Sequence, residues 1–175
     1  MGVDLATQQE YSVVILAAFL MVMEYFFIME ITCNINRKRH FPKIFLEKHF
    51  GEQHQEAFGV EIRGGGYPDH GSGRYGQKLN YKQWVQFANS QRSYYNFLEQ
   101  IFCILLFLFL GGAVYPKAAA IEAGIYMVCR LLYAVGYNSN SGATGRKFGA
   151  VLGFATQFAL FVTAAMAASS LTQIQ

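Results

Sequence analysis

The stretch Arg130-Leu131-Leu132-Tyr133-Ala134-Val135-Gly136-Tyr137 lies between two long apolar runs. Its reading decides how the rest of the chain is organised. Arg130, Tyr133 and Tyr137 are three and four residues apart, which puts them on one face of a helix. An arginine at the centre of a membrane span costs roughly 2.5–3.5 kcal/mol on insertion scales. A face that carries one must look at another helix, a water-filled cavity or a ligand.

Working outward, the stretch ends an apolar run over 117–137, with Tyr126 and Glu122 one and two turns below the Arg130 face. Asn138 to Gly145 is small and polar, and predicts a loop. The run 148–170 is rich in Ala, Gly and Phe, a composition that allows close helix packing in lipid. Upstream, Gly111-Gly112 and Pro116 mark a turn. The run before it, 92–114, enters with Arg92, Asn96 and Glu99 spaced four and three apart, again on one helical face. The first apolar run, 11–36, is interrupted by Glu24. That residue is expected to face a neighbouring helix, and Glu30 an interface. The run stops at Asn36-Arg37-Lys38-Arg39, a basic boundary. A bilayer core of about 30 Å needs about 20 helical residues, so four spans are predicted.

The segment 38–90 differs from its surroundings. It is polar, carries His40, His49, His54 and His70, and contains Gly64-Gly65-Gly66 and Pro68-Asp69. It reads as a long insertion with a short helix from Pro42 to Phe50. The four histidines match no zinc-ligand spacing, so no metal is expected and they read as solvated loop residues. The glycine triplet lacks the strand before it and the Gly-Lys-Ser/Thr after it that a phosphate loop needs, so flexibility is its reading. Tyr81, Trp84 and Phe87 are amphipathically spaced, and a lone tryptophan beside tyrosine and lysine suggests a membrane-interface anchor.

The composition agrees with a membrane chain: 53% hydrophobic, 14% charged and 16% aromatic over 175 residues, which suits one domain over 1–175. A net charge of +3 gives no case for nucleic acid. Ten of the 14 Lys and Arg lie between Arg37 and Arg92. Cys33, Cys103 and Cys129 fall in apolar runs and read as buried free thiols rather than a disulfide framework. The first apolar run is long enough to span and lacks a basic leader, so it reads as a span rather than a secretory signal.

The loops that carry the basic residues follow spans one and three, so they share one side of the membrane. Arg92, Asn96, Glu99, Arg130, Tyr133, Tyr137 and Arg146 then converge at one end of one bundle. One reading is an internal ion-pair network, with Arg92 and Arg130 set against Glu99 and Glu122. Yet three arginines against Glu99 leave surplus positive charge, and buried charge must be matched. A small zwitterionic guest with carboxylates would match it. The tyrosines would then serve as rigid donors and an arginine would favour a nearby thiolate.

Arg92-x-x-x-Asn96-x-x-Glu99, then Arg130-x-x-Tyr133-x-x-Gly136-Tyr137, then Arg146 resembles the pattern of the MAPEG family, the membrane-associated proteins of eicosanoid and glutathione metabolism. Within it the chain is most similar to the branch of microsomal glutathione S-transferase type 3 and leukotriene-C synthase. The resemblance covers 85–165 well and the first span weakly. It implies an all-α, integral-membrane four-helix bundle assembled as a homotrimer, with glutathione held between subunits. It further implies that Arg92, Asn96, Glu99, Tyr133 and Tyr137 bind glutathione, with Arg130 either structural or at or near the site. Arg37 would reach in from the adjacent subunit. Arg146 would be catalytic by stabilising the thiolate, which attacks a lipophilic electrophile or reduces a lipid hydroperoxide drawn from the bilayer. Lys147 is the neighbouring alternative for that role. Gln100 departs from the branch, which has tyrosine there, and the 38–90 insertion is far longer than the usual connection.

Two other readings stay open: a non-catalytic scaffold of the same fold, and an accessory subunit of a larger membrane complex. The family implies the endoplasmic reticulum, with the mitochondrial inner membrane as the alternative.

Overall fold

The computed structural model describes residues 5–64 and 69–172; Gly65, Gly66 and Pro68 of the glycine-proline segment lie outside them. The described residues form helices and loops without a strand. Helix α1 (Leu5–Ile28) passes through a π-helical turn (Met29–Asn34) into α2 (Ile35–His40). Then come α3 (Lys43–Phe58), α4 (Tyr81–Gly112), α5 (Pro116–Asn138) and α6 (Lys147–Thr172). Gln9–His40, Tyr81–Gly112, Pro116–Asn138 and Gly142–Ser170 are each long and apolar enough to cross a membrane. In hydrocarbon every backbone polar group must be satisfied within its own segment, which a helix does.

Sequence signals fix the helix ends. Asn80 and Gln83 form a reciprocal capping box at the start of α4. Pro116 sits at the first turn of α5, where its missing N–H costs nothing. Gly59, at φ 68°, ends α3 in the left-handed conformation that suits glycine.

Helix α5 packs against α1, α4 and α6, so the face led by Arg130 is interior. The core between the spans is built from Val14, Met21, Phe97, Ile104, Leu108 and Leu160, with small residues such as Ala119 and Ala123 between them. Phe19, Phe27, Phe102, Phe154 and Phe158 point outward and are exposed. Large apolar side chains on the outside of every span are what a lipid-facing surface requires. The chain is an integral membrane protein. Lys117 pairs with Glu10 at 2.5 Å and Tyr115 meets Ser170 at 3.2 Å at one end of the bundle. The ends of α2 and α5 and the start of α4 gather at the other.

The segment 38–90 is more ordered than a polar insertion predicts. Helix α3 runs on to Phe58, past the expected end at Phe50, and α4 begins at Tyr81 rather than 92 because the capping box starts it there. A second small core joins Phe41, Leu46, Phe50, Ile62, Leu79 and Phe87. Phe50 stacks on Tyr75 with ring centroids 4.4 Å apart. The Asp69 carboxylate accepts from the Gly71 and Tyr75 amides, both at 2.8 Å, and so folds the loop. Trp84 donates its indole N–H to the Gly71 carbonyl at 2.7 Å. It clasps this loop while its ring stays 41% exposed, a partner that the spacing alone did not name. Three of the histidines read as solvated loop residues are corrected: His40 is buried in α2 against Phe87, and His49 and His54 lie half-buried on α3 beside Phe45 and Phe58. His70 is an exposed loop residue as expected, and meets the Tyr95 hydroxyl. Cys33 and Cys129 are buried as expected, but Cys103 is exposed on the outer face.

Candidate functional site

The face of α5 that carries Tyr126, Arg130, Tyr133 and Tyr137 is buried throughout. Arg130 reaches α4, donating Nη1 to Asn96 Oδ1 at 2.8 Å and Nη2 to the Ser93 carbonyl at 3.5 Å. Its guanidinium lies over the Tyr133 ring at 4.4 Å and the Phe97 ring at 4.8 Å. Such contacts gain strength where water is excluded. Glu24 of α1 acts on Arg130 electrostatically, and both its carboxylate oxygens are buried without a hydrogen-bond partner. The sequence placed Glu24 toward a neighbouring helix. The arginine it faces could not be named from spacing alone.

Arg146 arrives from the start of the fourth span. Its Nη1 donates to the Tyr133 hydroxyl at 2.8 Å, and its guanidinium lies 5.1 Å from the centre of the Tyr137 ring. Tyr133 therefore stands between two arginines. The approach depends on glycines. A Cβ on Gly149 would fall 2.4 Å from the Tyr133 amide nitrogen, and one on Gly136 would fall 2.3 Å from the Gly145 carbonyl oxygen. Side chains there would push α6 off α5 and carry Arg146 away from the tyrosines. Gly145, Gly149 and Gly153 recur every four residues, the small-residue spacing that marks close helix contacts in membranes. That spacing is a signal in the sequence itself, more specific than a general richness in small residues.

The other expected residues fall into different settings. Arg92 and Glu99 form a 2.8 Å ion pair, but on an exposed face of α4, with both side chains about half accessible. Asn96, between them in sequence, turns inward to Arg130. Arg37 is half-buried on α2, one turn beyond Cys33, on which it acts electrostatically. Lys147 is exposed, so Arg146 is the cation that meets the tyrosines. Glu122 accepts from the Thr163 hydroxyl at 3.0 Å and is no partner for an arginine in the polar cluster. Gln100 accepts from the Tyr126 hydroxyl at 3.0 Å, which gives that residue a structural place in the same layer.

Among the described residues, neither Arg130 nor Arg146 has a carboxylate within 4.0 Å. Glu24 acts on Arg130 from beyond that distance, so the internal network is present in part, as this contact and the Arg92–Glu99 pair. The cluster also presents two guanidinium groups and two phenols in a partly water-excluded setting, a donor set suited to an anion. No His, Cys, Asp and Glu side chains gather in a metal-binding group among the described residues.

No curated protein matches the chain. A family model described as the MAPEG family matches residues 12–166, which takes in most of the first and last spans, all of the other two and every residue of the cluster. The chain therefore belongs to the MAPEG family, membrane proteins that include glutathione transferases and related enzymes.

Proposed function

We propose that the protein is a membrane-bound glutathione transferase or peroxidase of the microsomal type 3 and leukotriene-C synthase branch. The observation that carries this reading is Arg146, held on Tyr133 and directed at Tyr137, with no carboxylate within 4.0 Å among the described residues. A guanidinium stays charged at any working pH, so it can hold a thiolate without itself titrating. Tyr133 fixes its orientation.

Glutathione fits the donor set. Arg92 offers a fork for a carboxylate, Glu99 an acceptor for an ammonium, and Asn96, Tyr133 and Tyr137 shorter polar contacts. Arg130 holds Asn96 and the Tyr133 ring in place from behind. Glutathione would supply the sulfur nucleophile. Its S–C bond forms as the electrophile's leaving group departs or its strained ring opens. In the peroxidase reaction two glutathiones become the disulfide while the hydroperoxide becomes alcohol and water.

Arg92 and Glu99 are exposed on the single chain. That favours a site completed by a neighbouring copy in a homotrimer, with Arg37 as the residue contributed across the interface. The substrate would be lipophilic and enter from the bilayer. We place the protein in the endoplasmic reticulum, with the mitochondrial inner membrane as the alternative. The test is conjugation of glutathione to a lipophilic electrophile, and reduction of a lipid hydroperoxide, by purified protein. Both should be lost in Arg146→Ala and kept in Lys147→Ala.

A second reading, an accessory subunit of a larger assembly, is favoured by the module outside the spans. Ile44, Phe58, Val60 and Tyr81 are exposed there at 79%, 70%, 58% and 80%. A protein that is purified as a single copy inside a complex, without transferase activity, would support that reading instead.

A further inference from the structure

A concavity opens at the same end of the bundle, sharing Tyr137 with the proposed site but otherwise lined by residues to which that reading gives no role. It is a basin of about 690 Å³ between the end of the first span, the start of α4 and the loop joining α5 to α6. Among the described residues Arg39 and Lys82 are its cations, and no Asp or Glu lines it. A narrower groove of about 290 Å³ lies at membrane depth between α1 and α5, walled by apolar side chains such as Phe27, Ile31, Leu131 and Val135. Asn36 and Asn138 belong to both walls, so basin and groove meet.

The junction is held open by local hydrogen bonds. Asn36 Nδ2 donates to the Thr32 carbonyl at 3.0 Å, and Asn138 Nδ2 to the Ala134 carbonyl at 2.8 Å. Each amide is tied back to its own helix and does not bridge the gap. The π-helical turn Met29–Asn34 lies at this point of the first span, and such turns often mark functional sites. Its Thr32 hydroxyl is likewise bonded to the Ile28 carbonyl, at 2.6 Å.

We propose that this cleft binds one anionic phospholipid, with its phosphate head against Arg39 and Lys82 and one acyl chain in the groove. A soluble anion would use the basin and leave the groove bare. A neutral lipid would fill the groove and leave two cations unmatched in a wall without acids. Only an amphiphile with a negative head satisfies both halves, and basic pockets between membrane helices recognise such heads. Tyr137 forms part of the basin wall and also carries the Arg146 guanidinium over its ring. The bound lipid therefore supports the outer side of the tyrosine on which Arg146 rests.

The test needs no glutathione. The delipidated full chain is titrated with phosphatidylglycerol or with phosphatidylcholine of the same acyl chains, and followed by native mass spectrometry. Phosphatidylglycerol should bind once per chain and phosphatidylcholine about tenfold more weakly, as the loss of a charge-assisted contact implies. Arg39→Gln with Lys82→Gln should abolish that preference. Val135→Trp, at a position 71% exposed, should block the groove and weaken both lipids without disturbing the helices. Excess inorganic phosphate should leave the lipid bound. Three outcomes overturn the proposal. The first is equal binding of phosphatidylcholine by the unaltered chain. The second is complete displacement of the lipid by phosphate with no effect of Val135→Trp, which makes the basin a free-anion site. The third is an altered oligomeric mass in Val135→Trp with lipid binding intact, which means another copy of the chain covers the groove.

Discussion

Arg146 and Tyr133, on successive spans, share a 2.8 Å hydrogen bond, with the guanidinium donating to the phenol oxygen. Arg130 lies over the same ring at 4.4 Å. The phenol thus orients one arginine while the other stacks on it. Tyr133→Phe keeps the ring and removes the hydroxyl. It should leave the Arg130 contact intact and lower kcat/KM about tenfold, the loss expected when one charge-assisted hydrogen bond goes. Steady-state kinetics on the purified variant check this, and an unchanged kcat/KM would mean Arg146 is positioned some other way.

The glycine contacts predict a stability effect that a control can isolate. Gly149→Ala puts a methyl against the α5 backbone and should destabilise the bundle by about 1–3 kcal/mol, the usual cost of overpacking. Gly124→Ala adds the same methyl where nothing lies within 4 Å, so it should be neutral or stabilising by up to about 1 kcal/mol through helix propensity. Thermal unfolding of both in one detergent compares them directly.

Glu99 and Asn96 should separate binding from folding. Glu99 sits in an exposed ion pair, and such pairs contribute about 0–1 kcal/mol, so Glu99→Gln should barely move stability. It should still weaken glutathione binding. Asn96→Leu removes the acceptor of a buried guanidinium and should cost about 1–3 kcal/mol of stability. A Glu99→Gln variant that binds normally but fails to assemble would make Glu99 a structural residue.

The module outside the membrane makes its own prediction. Trp84→Phe deletes the hydrogen bond to the Gly71 carbonyl and releases the loop between α3 and α4. Limited proteolysis should then cut between residues 59 and 80 faster than in the unaltered protein, while the spans stay protected. Equal cutting rates would mean that the Asp69 turn and the Phe50–Tyr75 stack hold the loop unaided.

The spans were legible because lipid imposes a length and a composition that few soluble segments meet. The interior face of α5 was legible for the same reason, since Arg130 could not face hydrocarbon. The start of α4 lies well before the expected residue 92, because composition marks an apolar run and not the end of the helix that carries it. The capping residues Asn80 and Gln83 set it instead, well out in the polar segment. The loop contact of Trp84 was not legible, because its spacing describes an amphipathic helix equally well against lipid or against a folded loop. The Gly136, Gly145 and Gly149 contacts were not predicted as pairs, because spacing shows that two helices can approach closely but not which backbone atoms meet. The exposure of Arg92 and Glu99 was beyond the sequence, since a single helix face does not reveal whether its partner is on the same chain.

The most direct test of the account is glutathione binding to the detergent-solubilised protein by isothermal calorimetry, with ultraviolet detection of thiolate, in the unaltered chain and in Arg146→Ala. The account predicts binding with a thiolate signal near neutral pH in the unaltered protein. In the variant, binding should persist and the signal should be lost. Absence of binding by the well-folded unaltered chain, or a thiolate signal that survives Arg146→Ala, would contradict it.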